Sequence, residues 1–70
     1  MKESKGTIIT VIHEKGYGFI LEEETEENIY FHSSGVYGWP FEDLREGFKC
    51  KFTKVGIPKG SKAILVEVVE

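Results

Sequence analysis

The sequence predicts an all-β protein, a closed barrel of five short antiparallel strands. Short apolar runs alternate with turns that contain glycine or proline, and no segment keeps a long 3.6-residue apolar period. Five short strands in a chain of 70 residues would leave two unpaired edges in an open sheet, and closure removes both edges. We therefore expect an OB-type barrel, with an SH3-like barrel as the nearest alternative at this length.

The first three strands are expected at residues 7–12, 16–21 and 28–32. The first of them, TIITVI, is rich in β-branched residues but lacks clean alternation, which indicates either burial on both faces or a β-bulge. Residues 22–27 separate the second strand from the third, and this length suits a hairpin loop. The loop is too polar for a core, so we expect its glutamates to form a solvated tip.

The last two strands follow a long irregular segment, residues 33–47. Three glycines and Pro40 in that segment are expected to prevent any long helix or strand. One helical turn is expected near residues 42–46. In the fourth strand, residues 48–55, strict alternation places Cys50 on the same face as Phe48 and Phe52. The fifth strand, residues 63–69, is expected to turn one apolar set to a single face: Ile64, Val66 and Val68.

The net charge of −3 argues at first against nucleic acid as a partner. Five of the twelve acidic residues lie in the segment 22–27, however, and without them seven acidic residues face nine basic ones. The single cysteine, Cys50, cannot form an internal disulfide, and the sequence contains neither an apolar membrane span nor a recognisable signal peptide. We therefore expect one domain over residues 1–70, acting in the cytoplasm as a monomer and without a membrane partner.

Aromatic side chains of the second and third strands are expected to share one face of the hairpin. Because side chains alternate along a strand, Ile20, Ile29 and Phe31 collect on a wholly apolar face that suits the core. The opposite face collects four rings: Tyr17, Phe19, Tyr30 and His32. Such a face can stack the bases of a single-stranded nucleic acid, with Lys15 beside it as a phosphate contact. Core packing is the alternative for any single ring, since aromatic residues favour strands.

The motifs KGYGFI (15–20) and IYFH (29–32) resemble the two ribonucleoprotein motifs of cold-shock domains. Gly6, ten residues before Gly16, and the LREG turn at 44–47 also fall at the spacing of that family. The resemblance covers nearly the whole chain and is closest to single-domain bacterial cold-shock proteins. It implies an OB-type barrel that binds single-stranded RNA or DNA with little sequence preference and serves as an RNA chaperone or regulator of gene expression. It also implies a set of binding residues: Lys15, Tyr17, Phe19, Tyr30, His32 and Phe41.

The chain departs from the family pattern on the first strand, where the family usually has KWFN and this chain has ITVI at residues 9–12. Ile9 replaces a lysine, Thr10 replaces a surface tryptophan and Val11 replaces a phenylalanine. Ser33 replaces a further phenylalanine. Three stacking rings and a basic group are therefore missing. At about 1–3 kcal/mol per stacked base, losing two rings would weaken binding by about tenfold to thousands-fold without compensation.

Trp39, in the loop YGWPF (37–41), is a candidate to supply that compensation. The following Pro40 biases Trp39 towards an extended conformation and stiffens the loop. Trp39 either stacks a base in place of the missing ring of the first strand or folds back over the barrel as a lid. We include Trp39 among the candidate binding residues, with both alternatives open.

A protein-binding module on the same barrel is the alternative function, because Ile9, Val11 and Leu21 make the first two strands unusually apolar for a nucleic-acid surface. No nucleophile–base pair, carboxylate dyad or phosphate-binding loop indicates an enzyme, so no catalytic residue is predicted. Cys50 and the two histidines lack the paired spacing of a zinc site, and neither a metal nor another cofactor is expected.

Overall fold

Five strands and three short 3₁₀ turns make up residues 3–69, the part of the chain that this computed structural model describes. The strands are β1 (Glu3–Ile12), β2 (Tyr17–Glu22), β3 (Asn28–His32), β4 (Lys49–Ile57) and β5 (Gly60–Val69). The 3₁₀ turns are His13–Lys15, Ser33–Gly35 and Phe41–Asp43. The last turn starts slightly before the helical turn expected at residues 42–46, directly after Pro40, whose φ of −63° suits entry into a helical turn.

The strands close into a barrel in the order β1-β2-β3-β5-β4, which confirms the predicted fold class. Four neighbouring pairs are antiparallel, whereas β3 and β5 run parallel through a short contact that pairs Tyr30 with Lys62 and Phe31 with Ala63. A ring with an odd number of strands cannot alternate in direction throughout, so at least one parallel pair is unavoidable. The antiparallel pattern predicted from the sequence holds for the other four pairs.

A β-bulge in β1 accounts for the missing alternation of the run TIITVI. Ile8 pairs with Ile20 on β2, but the next pair joins Thr10 to Phe19, so Ile9 is an extra residue. Of the two explanations open at the sequence level, the structure therefore shows the bulge. The bulge reverses the side-chain pattern, which leaves Ile8 fully buried and places Thr10 on the outer face beside Phe19.

A second irregularity, in β5, changes which apolar residues enter the core. The register between β4 and β5 shifts in this region, and Leu65 adopts a left-handed φ of 52°. As a result, Ala63 and Val66 are both buried although they are three residues apart. The prediction that Ile64 shares the face of Val66 is therefore wrong, because the bulge interrupts the period of two on which it depended.

The core contains the face that the sequence assigned to it. Ile20, Ile29 and Phe31 are at most 1% exposed, which confirms the predicted orientation of the β2–β3 hairpin. Cys50 is buried as well, and desolvation raises the pKa of its thiol to about 12. The buried apolar cluster consists of Ile8, Ile20, Ile29, Phe31, Leu44, Cys50, Phe52, Ala63 and Val66.

The hairpin tip is solvated except at Glu22, which is only 3% exposed. Its carboxylate accepts hydrogen bonds from Lys54 Nζ at 2.8 Å and from Thr25 Oγ1 at 2.6 Å. Lys54 also donates to Glu27 at 2.6 Å. The hydrogen bond from Lys54, followed by that from Thr25, lowers the pKa of Glu22 against the opposing effect of burial. The expectation of a wholly solvated tip is thus wrong at Glu22, because β2 extends to this residue and points it inward opposite Gly6.

Candidate functional site

Three aromatic rings pack together on the outer face of the β2–β3 hairpin. The ring centroids of Tyr17 and Tyr30 are 5.7 Å apart at an angle of 33°, and Phe19 meets both rings edge to face at 6.1 and 6.2 Å. All three side chains are half-buried, so the rings support one another and leave part of their surface open to solvent. With His32, which pairs with Tyr17 across the hairpin, they form what we call the ring face: Tyr17, Phe19, Tyr30 and His32.

Gly18 keeps the ring face in position from behind. It is buried between Tyr17 and Phe19, and a Cβ at this position would overlap the carbonyl oxygen of Thr10 and lie 2.9 Å from the ring of Phe31. Because Gly18 has no side chain, the backbone of β1 and the ring of Phe31 can pack closely against β2. The two outward rings on either side of Gly18 are carried by a strand rather than by a loop.

The imidazole of His32 is oriented by the turn that follows β3. The backbone N–H of Ser34 donates to Nδ1 at 3.1 Å, and Ser34 Oγ lies 2.9 Å from the same nitrogen. Because a backbone amide can only donate, Nδ1 is the acceptor and the neutral ring carries its proton on Nε2. His32 therefore presents an N–H donor at Nε2, and the side chain is exposed.

Lys15 ends the first 3₁₀ turn, two residues before Tyr17. Its side chain is exposed, and within residues 3–69 it has no ion-pair partner. Gly16, with a left-handed φ of 74°, then turns the chain into β2. Lys15 is thus a lysine without an ion-pair partner among residues 3–69, just before the strand that carries Tyr17 and Phe19.

Two other residues predicted for the site lie in different surroundings. Phe41 packs against the buried ring of Phe31 at 6.3 Å and against His13 at 5.7 Å, and it is half-buried. Trp39 meets Phe48 edge to face at 5.7 Å, near the start of β4. The structure therefore gathers Tyr17, Phe19, Tyr30 and His32 on one face and places Phe41 and Trp39 in separate aromatic contacts.

A groove beside the ring face is lined by further residues that the sequence did not predict for the site. Phe19 and Tyr30 form one wall, and the turn between β4 and β5 forms the other, around an open volume of about 620 Å³. That turn brings Lys59 to the groove, because β3 and β5 are neighbours in the closed barrel. The sequence showed a lysine between Pro58 and Gly60 in a turn, but only the strand order brings it to the groove that Tyr30 also lines.

The structure locates the positions at which the chain departs from the cold-shock pattern. Thr10 pairs with Phe19 and so borders the ring face directly. Val11 instead packs against the buried cluster, so its substitution concerns the interior rather than a stacking surface. Ser33 follows His32, and its N–H donates to the carbonyl oxygen of Gly16 at 2.8 Å. Three rings of the family pattern are missing from this chain, at Thr10, Val11 and Ser33. Of these three positions, Val11 is the one that packs against the core.

Between residues 3 and 69, no three His, Cys, Asp or Glu side chains come together in a way that could hold a metal ion. No helix in this part of the chain is long and apolar enough to cross a membrane. The ring face, with the groove beside it, is the candidate site for a ligand.

These features define a class of protein, a small closed β-barrel that presents a supported aromatic surface on two adjacent strands. The chain belongs to the cold-shock domain family: the family model described as "'Cold-shock' DNA-binding domain" matches residues 4–69.

Similar curated proteins carry cold-shock names. The "Major cold shock protein" of Micrococcus luteus is 36% identical over 58 residues, which cover 83% of this chain and 87% of that protein. The "Cold shock-like protein" of Aquifex aeolicus is 34% identical over 65 residues, 93% of each chain. A solved structure described as "drosophila Unr CSD456" superposes with a TM-score of 0.80 over 99% of this chain and 27% of that chain. At 21% identity, this last likeness shows the fold alone.

Proposed function

We propose that this protein binds single-stranded RNA or DNA by stacking bases on the ring face, and that it acts through this binding as an RNA chaperone or a regulator of gene expression. The observation that carries the proposal is the mutually packed cluster of Tyr17, Phe19 and Tyr30 on the outside of the barrel. A stacked base contributes about 1–3 kcal/mol of binding free energy. The "DNA-binding" description of the family supports nucleic acid as the ligand class.

The polar groups around the rings suit a nucleic-acid strand. His32 offers an N–H donor at Nε2 to a base or phosphate oxygen, as the hydrogen bond from Ser34 to Nδ1 requires. Lys15 lies at one end of β2 and Lys59 lines the groove, so each can pair with a phosphate. Stacking depends little on base identity, since every base has a flat π-face, and we therefore expect low sequence preference.

The acidic hairpin tip does not oppose this proposal. Glu27 lines the groove next to Tyr30, but its carboxylate is bound by Lys54 at 2.6 Å, which also neutralises Glu22. The part of the acidic segment nearest to the rings is thus partly compensated by a cation. The other glutamates of the tip are exposed.

Chaperone action follows from binding alone. A ligand of the open strand shifts the equilibrium between paired and unpaired RNA towards the unpaired state, with no chemical step. We accordingly propose a binding protein without enzymatic activity or cofactor, in which residues 1–70 act as one domain, as a monomer and in the cytoplasm.

The experiment is a titration of the protein with oligo(dT) or oligo(U) at several salt concentrations. We expect the logarithm of the binding constant to fall with the logarithm of salt concentration, with a slope of about −0.7 per phosphate contact. Phe19→Ala should weaken binding by about fivefold to 150-fold with the fold retained. The matched control is Leu65→Ala, which removes an exposed apolar side chain from β5, away from the rings.

Absence of binding at low salt by a correctly folded protein would contradict the proposal. It would favour the alternative, a protein-binding module on the same barrel. Loss of the fold in Phe19→Ala, rather than loss of affinity, would show that this ring belongs to the core.

A further inference from the structure

A second aromatic cleft lies at the start of β4 and the end of β5. Its walls are Trp39 and Phe48, whose rings meet edge to face at 87°, and its other lining residues are Lys49, Val68 and Val69. The volume is about 220 Å³, and Trp39 is 37% exposed. More than a third of the residue is therefore exposed to solvent, even though the indole contacts Phe48.

The loop that carries Trp39 is anchored to β5 on the N-terminal side of the indole. There Val36 forms a bridge with Val66, and the N–H of Tyr37 donates to the Val66 carbonyl oxygen at 3.0 Å. On the C-terminal side a 3₁₀ turn begins, in which Pro40 accepts a hydrogen bond from the N–H of Asp43 at 3.0 Å. A ring held in place before a ligand arrives loses little conformational entropy on binding, which favours affinity.

The charge of the cleft points to an anionic ligand. Lys49 is exposed and has no ion-pair partner within residues 3–69, whereas Lys51 and Lys54 on the same strand pair with glutamates. An aromatic wall beside a free cation suits a nucleotide, since the base can stack on the ring while the phosphate meets the ammonium group. An apolar protein segment would use the walls but leave this cation unpaired.

The cleft is connected to the groove beside the ring face along the outer surface. Lys49 pairs with Thr7 on β1, Thr7 pairs with Leu21 on β2, and Leu21 pairs with Asn28 on β3, which lines the groove. Paired residues lie on the same face of a sheet, so these side chains form a continuous outward row. Three strand spacings separate its ends, about 14 Å, a distance that a few nucleotides of extended strand can span.

We propose that the cleft lined by Trp39, Phe48 and Lys49 is a second nucleotide-binding subsite, in which Trp39 stacks a base and Lys49 binds a phosphate of a strand that also occupies the ring face. The inference rests on the proposed function and extends it to a bipartite site. It would replace, from a neighbouring loop and strand, the ring and the cation that are missing on β1 at Thr10 and Ile9.

The test compares short oligo(dT), which can fill only the ring face, with longer oligo(dT), and follows the fluorescence of Trp39, the single tryptophan. We expect fluorescence to change only with the longer oligonucleotides. Trp39→Ala should weaken binding of long oligonucleotides by about fivefold to 150-fold and leave that of short ones unchanged. Lys49→Gln should reduce the salt slope of the long oligonucleotide by about 0.7 and provides a second variant in case Trp39→Ala folds poorly.

Two reference variants separate the possible failures. Leu65→Ala removes exposed apolar surface outside the cleft and should leave every affinity unchanged. Phe19→Ala should weaken the binding of both short and long oligonucleotides. If Trp39 fluorescence stays constant at saturation with every length while Phe19→Ala still weakens binding, the second subsite is overturned and the proposed function stands. If no oligonucleotide binds at low salt, both proposals fail.

Discussion

The carboxylate of Glu22 and the ammonium group of Lys54 meet at 2.8 Å at one end of the barrel, although 32 residues separate them in the chain. Glu22 is buried, while the side chain of Lys54 is 28% exposed. The pair joins the β2–β3 hairpin to β4, two parts of the barrel that are not neighbours in the sheet.

Glu22→Gln should lower the free energy of unfolding by about 1–2 kcal/mol at neutral pH, because a charge-assisted hydrogen bond to a partly screened lysine is lost. The matched control is Glu23→Gln, at an exposed position of the same tip. Thermal unfolding at neutral pH measures the difference. Equal stability of the two variants would show that the pair contributes nothing.

The same carboxylate predicts a pH dependence. The pKa of Glu22 is lower in the folded protein than its ordinary value of 4.5, chiefly because of the hydrogen bond from Lys54. Its stabilising contribution is therefore complete above pH 4.5 and is lost as the pH falls through the folded-state pKa. Unfolding measured across this acid range should show a smaller loss of stability for Glu22→Gln than for the unmodified protein. If the two proteins lost the same stability between neutral and acid pH, Glu22 would not be the source of this pH dependence.

Gly18→Ala should destabilise the barrel by about 1–3 kcal/mol, because a Cβ would overlap the carbonyl oxygen of Thr10 and press on the ring of Phe31. Gly56→Ala is the matched control, since a Cβ there meets no atom within 4 Å and Gly56 has no positive φ. Chemical denaturation of both variants checks the difference. The close approach of β1 behind the rings would be refuted if the two variants were equally stable.

Thr10→Trp should strengthen binding of oligo(dT) by about fivefold to 150-fold, provided that the ring face binds bases. Thr10 pairs with Phe19, so a tryptophan at this position would extend the ring face onto β1 by one stacking surface. Thr53→Trp, on β4 next to the buried Phe52, adds the same ring away from that face and should not change affinity. An equal gain in both variants would indicate unspecific attraction.

Cys50 should not react with a thiol reagent in the folded protein. It is 1% exposed, and desolvation raises its thiol pKa to about 12, so both access and the reactive thiolate are lacking. Colorimetric thiol titration should therefore detect the single cysteine in denaturant and almost none without it. Rapid labelling under native conditions would mean that β4 opens readily.

The sequence predicted the faces of the β2–β3 hairpin correctly, because the period of two along each strand needs no information from elsewhere in the chain. Ile29 and Phe31 are two residues apart, so they share one face of β3, and Tyr30 and His32 share the other. Because the first face is wholly apolar, it was the one assigned to the core, and both of its residues are buried. The same period failed in β5. There the bulge at Leu65 brought Ala63 and Val66 into the core together. No residue in the sequence of β5 indicates that a bulge occurs.

Contacts between distant segments were beyond local patterns. In the sequence Glu22 is indistinguishable from the other glutamates of the acidic tip. Only the closure of the barrel brings Lys54 within hydrogen-bond distance of its carboxylate. From the sequence alone Lys59 is a turn residue, and only the pairing of β3 with β5 brings it to the groove that Tyr30 also lines. From the sequence, Trp39 could either stack a base or cover the barrel, and only the structure showed that it contacts Phe48 while 37% of the residue stays exposed.

By itself, then, the sequence determined the all-β class, the strands and the side of the hairpin on which Tyr17, Phe19 and Tyr30 lie. Alternation and turn chemistry are local properties, and they act within each strand. The tertiary structure decided which groups surround those rings and which charges are neutralised. Both depend on the order in which five strands close into a ring, and that order is set by the packing of the whole core rather than by any single segment.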